Sequence, residues 1–221
     1  MRYSIANRLF IRAVTLLEML IATAALVVLT ALLLPAITQM LQTSQRAAGA
    51  AQLRQIAAAI QNYAADHQGR LPGPLWPGQI PVHDVSRPGR LAVFLATYLG
   101  ARISSESDVV IVPALVPKGF SRHLPANVAL ENSRTYVMNM SVKTESGIVN
   151  PWGSASDSSS TPMPLTAVTD HTDQWMLSAA DQRHPAVSAA PWRAFTPAKS
   201  IYGPVRPYLF FDGHVQWLKA D

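Results

Sequence analysis

The sequence predicts an α+β protein in which one long N-terminal helix precedes a loop-rich domain built on an antiparallel sheet. Three observations carry this. A 24-residue apolar stretch, residues 14–37, follows a basic leader and runs into an amphipathic continuation. Sixteen of the 17 Pro and all five Trp lie after residue 70, so helix and domain divide there. The chain then closes on two strand-like runs flanking Asp212-Gly213. At 221 residues there is room for one globular domain plus an appendage.

Residues 1–13 form the leader, with Arg2, Arg8 and Arg12 and no acid. Residues 14–37 read VTLLEMLIATAALVVLTALLLPAI, in which Glu18 is the only charge. At 1.5 Å per residue this is roughly 36 Å of helix, enough to cross a hydrocarbon core about 30 Å thick. By the positive-inside rule the leader stays cytoplasmic and everything after the span is exported. The competing reading is a cleavable secretory signal, whose apolar core runs about 7–15 residues before a small-residue cleavage site. Residues 19–34 alone are 16 positions without a charge, and the best small-x-small site, Ala48-Gly49-Ala50, lies beyond Arg46. Glu18 costs a few kcal/mol in an apolar helix unless it meets a partner or stays near the headgroups. A partner would be a positive charge from another chain.

Beyond Pro35 the pattern stays helical, with Leu53, Ile56, Ile60 and Tyr63 at spacings of three, four and three on one face. Residues 38–68 therefore form an amphipathic half that lays its apolar stripe on the domain's own sheet. Gly69 is the stop, followed by Pro72. The whole helix, residues 15 to 67, would be roughly 80 Å long. Pro35 removes one backbone donor and should kink or melt the helix there.

The domain, residues 69–221, opens with an irregular Pro-rich stretch over 71–88, then a short helix over 89–100 ending at Gly100. Strands are predicted at 109–112, 135–142 and 174–177, with a surface loop over 150–166. Residues 208–218, YLFFDGHVQWL, predict a terminal hairpin in which Asp212 and Gly213 take the positive φ values of a two-residue type I′ turn. Trp76, Trp152 and Trp192 are expected to pack in the core or loops rather than to form a sugar platform.

Composition narrows the function. There is no Cys for a disulfide, a thiolate metal site or a nucleophile. The net charge of +5 is spread thinly, without a basic run, so no nucleic-acid partner is expected. No G-x-S-x-G, HExxH or glycine-rich phosphate loop is present, and no enzyme is expected. Asp170, His171 and Asp173, with Asp212 and His214, are the densest polar cluster and the candidate ligands for a divalent ion, although D-H-x-D lacks the ligand ladder of a calcium loop.

The residues R-A-V-T-L-L-E-M-L resemble the prepilin signature of type IV pilins and of type II secretion pseudopilins. The resemblance implies a pilin-like fold and cleavage by a prepilin peptidase after Ala13, where the family usually has Gly. Val14, where Phe is usual, becomes the methylated N-terminus and Glu18 the fifth mature residue. Pro35 is then the twenty-second, a position where many members carry Pro. It further implies that Thr15 and Glu18 serve assembly, with Glu18 approached by a neighbouring subunit's amine. The localisation implied is a bacterial inner membrane with the domain periplasmic, the partners being the peptidase, other pilin or pseudopilin subunits and lipid. The C-terminal phrase is similar to the H-X9-DG motif of a pseudopilin-like group, with Tyr202 where that group has His. NYAADHQGRLP and RTYVMNM resemble the same group. Some secretion pseudopilins hold calcium in a C-terminal loop, which is the cofactor implied here if there is one. The rival reading is a monomeric membrane-tethered periplasmic ligand-binding protein that uses the helix only as an anchor.

Overall fold

The computed structural model describes residues 15–105, 107–157 and 159–220. Contacts divide the chain into two units, Met1–Ser44 and Gln45–Asp221, and helix α1, Leu16–Asp66, contributes to both. Good helix formers fill α1, with no glycine before Gly49. The helix is unbroken across residue 35, so the melting predicted at Pro35 is not seen. One missing donor leaves the backbone ladder on either side intact. In the first unit threonine side chains bond back to the helix itself. Thr23 Oγ1 donates to the Met19 carbonyl at 2.9 Å and Thr30 Oγ1 to the Leu26 carbonyl at 2.9 Å. Every described side chain from 15 to 44 is exposed.

The C-terminal part of α1 ends as expected. Gln68 and Gly69 turn left-handed at φ 57° and 78°, and the Gly69 amide donates to the Ala64 carbonyl at 2.7 Å. Before that, Leu53, Ile56 and Ile60 are all but fully buried and Tyr63 is half-buried, so the predicted stripe is the packed one.

They pack on an antiparallel sheet ordered β1-β4-β7-β8-β9. Its strands are β1 Gly78–Gln79, β4 Tyr136–Met138, β7 Trp175–Ala179, β8 Val205–Phe210 and β9 Val215–Lys219. Two small ribbons flank it: β2 Val82–His83 with β3 Val110–Ile111, and β5 Val142–Thr144 with β6 Gly147–Val149. A short helix α2, Leu91–Leu95, lies in the predicted helical segment. The layout is α+β, with one core cluster joining Leu53, Ile56 and Ile60 to Tyr136, Leu177 and Leu209.

Three local expectations are corrected. The strand predicted over 135–142 splits, because buried Asn139 donates through Nδ2 to the Trp175 carbonyl at 2.8 Å and accepts the Ser141 amide at 3.1 Å, turning the chain out of the sheet. The irregular 71–88 stretch supplies the edge strand β1. The 150–166 segment forms no strand but is not superficial, since Trp152 is fully buried with its indole N–H on the Asn139 carbonyl at 2.8 Å.

Tyr202 is buried and stacks edge-on against Trp217 at 5.0 Å. Burial pushes its phenol up to about 12. The ring lies on α1 at Gly49, where a Cβ would stand 2.6 Å from Tyr202 Oη and 2.8 Å from two ring carbons. Gly49→Val should therefore cost about 2 kcal/mol through overpacking. Denaturant unfolding of Gly49→Val, Tyr202→Ala and the double variant in detergent should give losses that are less than additive, because removing the ring removes the clash.

Candidate functional site

The first turn of α1 is closed by its own side chains. The Thr15 amide donates to Glu18 Oε2 at 2.9 Å, Thr15 Oγ1 donates to the same oxygen at 3.0 Å, and the Glu18 amide donates back to Thr15 Oγ1 at 3.2 Å. This is a reciprocal capping box, which satisfies helix donors that have no backbone acceptor. Glu18 thus has a hydrogen-bond partner three residues away in its own chain. The signature T-x-x-E before an apolar run was readable. Ala13 and Val14 lie outside the described residues. From Leu16 onward, α1 is long and apolar enough to cross a membrane, by length and composition.

The hairpin β8–β9 forms, but its turn is not type I′. The Gly213 amide donates to the Phe210 carbonyl at 2.9 Å and the Phe210 amide to the His214 carbonyl at 3.0 Å, leaving Phe211, Asp212 and Gly213 as a three-residue loop. Only Gly213 is left-handed, at φ 89°. Asp212 acts through its carboxylate instead, accepting the His214 amide at 3.0 Å and meeting His214 Nδ1 at 2.6 Å. Partial burial resists ionisation of Asp212, but the His214 amide and imidazole outweigh it and hold the carboxyl below its ordinary value.

The predicted cation ligands are dispersed. Asp170 and Asp173 line a cleft of about 290 Å³ in which Lys143 already supplies a positive charge. Asp170 is left-handed at φ 50°, and its carbonyl accepts the Asp173 amide at 2.9 Å, so this cluster is the turn that leads into β7. His171 Nε2 lies 3.2 Å from the Leu165 carbonyl, and Asp212 serves the hairpin. Among the described residues no three His, Asp or Glu side chains converge as a metal site would require.

A buried polar group that the sequence did not reveal sits on the sheet face opposite α1. Arg206 on β8 meets Asp181 with two parallel bonds, Nε to Oδ2 at 2.7 Å and Nη2 to Oδ1 at 2.9 Å, and both residues are about 2% exposed or less. His184 is buried beside them, accepting the Ala186 amide at Nδ1, 3.0 Å, while its Nε2 has no partner. Its ring lies 5.6 Å from Trp175 and 5.5 Å from Tyr208. The Arg206–Asp181 bonds are buried and internal, and they tie β8 to the segment that follows β7. An Arg flanked by apolar strand residues was visible in sequence, but its partner 25 positions earlier was not.

Compared with protein-family models, curated proteins and solved structures, the chain matches none of them.

His184 predicts an acid dependence. Burial, then the Arg206 charge, pull its imidazole down to about 4, with Asp181 pushing the other way. The folded state thus binds this proton more weakly than the unfolded chain, whose His titrates near 6.5. Stability from neutral His184 is complete above pH 6.5 and is lost as pH falls towards 4, by up to roughly 3 kcal/mol. Unfolding measured between pH 7 and 4 should show this slope in the natural chain and a flatter profile in His184→Gln.

Proposed function

We propose that the chain is the precursor of a structural subunit, pseudopilin or minor pilin in kind, of a type II secretion or type IV pilus-like filament. One observation carries the reading: a single acid, Glu18, held at the first turn of an apolar helix whose described side chains through Ser44 are all exposed. Exposed apolar surface on this scale requires lipid or other protein around it. Bound as it is to Thr15, Glu18 sits five residues after Ala13, where the prepilin resemblance puts the assembly acid.

In this reading the chain sits in the bacterial inner membrane with its leader cytoplasmic and the domain, residues 69–221, periplasmic. A prepilin peptidase removes residues 1–13 and Val14 is methylated. The freed amine of one subunit then approaches Glu18 of the next, an ion pair that low dielectric rewards only when both partners are present. Copies pack through the apolar helix.

Co-expression with a prepilin peptidase, followed by intact-mass and N-terminal analysis, should yield a chain beginning at methylated Val14. A membrane-extracted chain that still begins at Met1 would refute the precursor assignment. Glu18→Ala should leave the domain folded and the helix in the membrane but reduce incorporation into sheared filaments about tenfold or more, as loss of a buried charge partner does. Undiminished incorporation would leave a membrane tether in place of an assembly subunit.

A further inference from the structure

At the β1 edge of the sheet, Arg90 and Arg134 line a cleft of about 230 Å³ together with Trp76, Pro77, Gly78 and Trp192. Gly78 lets an indole lie against the strand backbone, since a Cβ there would stand 2.8 Å from Trp192 Cε2. Arg90 Nη1 donates to the Gly78 carbonyl at 2.9 Å and Arg134 Nη1 to the Asn132 carbonyl at 2.8 Å, so each guanidinium is anchored by one nitrogen. The Nε of each is buried without an acceptor.

The local charge is unbalanced. Among the described residues no carboxylate forms an ion pair with either Arg90 or Arg134, and the nearby Asp84 is taken by Arg87 at 3.1 Å. Burial, then the charges of Arg134 and Arg87, pull Arg90 down to about 10. Burial, then Arg87, lower Arg134 as well. Two half-buried cations that repel one another and hold spare donors are a poor structural solution. They are a good anion site, because guanidinium forks match a carboxylate in two parallel bonds. The indoles add flat apolar walls, on which an aromatic ring or the C–H face of a sugar ring can stack.

We propose that this cleft binds a carboxylate carried on a single six-membered ring that presents a flat or C–H face to the indoles, either a sugar acid, free or within an acidic polysaccharide, or an aromatic acid. The carboxylate faces Arg90 and Arg134 and the ring lies against Trp76 and Trp192. The volume of about 230 Å³ suits one ring at a time. This goes beyond the assembly role and does not depend on it.

Calorimetric titration of the full chain in detergent tests the idea, with galacturonate, benzoate, their neutral counterparts galactose and benzyl alcohol, and sulfate. The expected result is saturable binding of galacturonate or benzoate, with the neutral counterpart and sulfate about tenfold weaker or more. Binding of only one acid identifies the sugar or the aromatic class. Arg134→Gln should weaken that acid about tenfold or more, with far-ultraviolet circular dichroism unchanged. Trp76→Ala provides an independent variant, because Trp76 is 38% exposed and its backbone amide bond to Gly89 persists without the side chain. It should weaken the same acid several-fold. Absence of binding by both acids, equal binding of a neutral ring or of sulfate, or undiminished binding in both folded variants would overturn the proposal.

Discussion

The domain depends on burial of the α1 face that carries Leu53, Ile56 and Ile60. Each of these side chains contributes about 1.5–3 kcal/mol when taken out of water, and neither partner in the contact stands well alone. The helical stretch from residue 45 to 66 would be marginal in isolation, and a sheet whose edge strand β1 is two residues long has few ladder bonds of its own. Gly49 and Tyr202 set how closely they approach. Gln52 fixes the register along the helix, donating through Nε2 to the carbonyls of Ala114 at 2.9 Å and Val116 at 2.7 Å. A loop with unpaired carbonyls is thereby satisfied by the same helix that covers the sheet.

Because one sheet face is taken by α1, the inner strands β4, β7 and β8 must be covered on the other face too. The segment from Asp181 to Thr196 does this, but with little apolar material. Val137, Ala180 and Val187 form the small second cluster, with Trp175 and Trp192 packed against it. The Asp181–Arg206 pair holds the segment to β8 where hydrophobic contacts are few. Such a pair adds little net stability over an apolar substitute, yet removing one partner strands a buried charge. Its value here is positional: it fixes where the segment lies, and hence where Trp192 closes the cleft beside Gly78. The polar anchor and the cleft wall are thus one construction.

What the sequence made legible follows the range of each signal. The stripe at Leu53, Ile56 and Ile60 and the stop at Gly69 are local periodicity and local turn chemistry, and both hold. The hairpin at Asp212-Gly213 was legible as a hairpin but not as to its turn. Asp-Gly serves a type I′ turn and a three-residue loop equally, and the His214 amide on the Asp212 carboxylate decides between them. The strand over 135–142 failed because Asn139 spends its side chain on Trp175, a contact 36 positions away. Arg90, Arg134 and Trp192 were invisible as a group for the same reason: 102 positions separate the first from the last, and no spacing rule joins them.

In the proposed subunit, Glu18 is the residue in which local structure and assembly would compete, and its chemistry allows both. A carboxylate offers about four acceptor positions across its two oxygens. The Thr15 amide and hydroxyl occupy Oε2 in the described structure, at 2.9 and 3.0 Å. Among the described residues no donor meets Oε1, which can take a further one. In the proposed mature chain, the first candidate is the subunit's own amine at Val14, one residue before Thr15, and the second is the same amine from a neighbour. The cap already holds the carboxylate close to its own backbone at the start of the helix. A neighbour's amine must therefore gain more than an electrostatic bond to win. The packing of apolar helix faces that accompanies it supplies that difference. In the proposed filament Glu18 would specify the register between subunits, while the exposed leucines, isoleucines and valines between Leu16 and Leu41 would supply the adhesion.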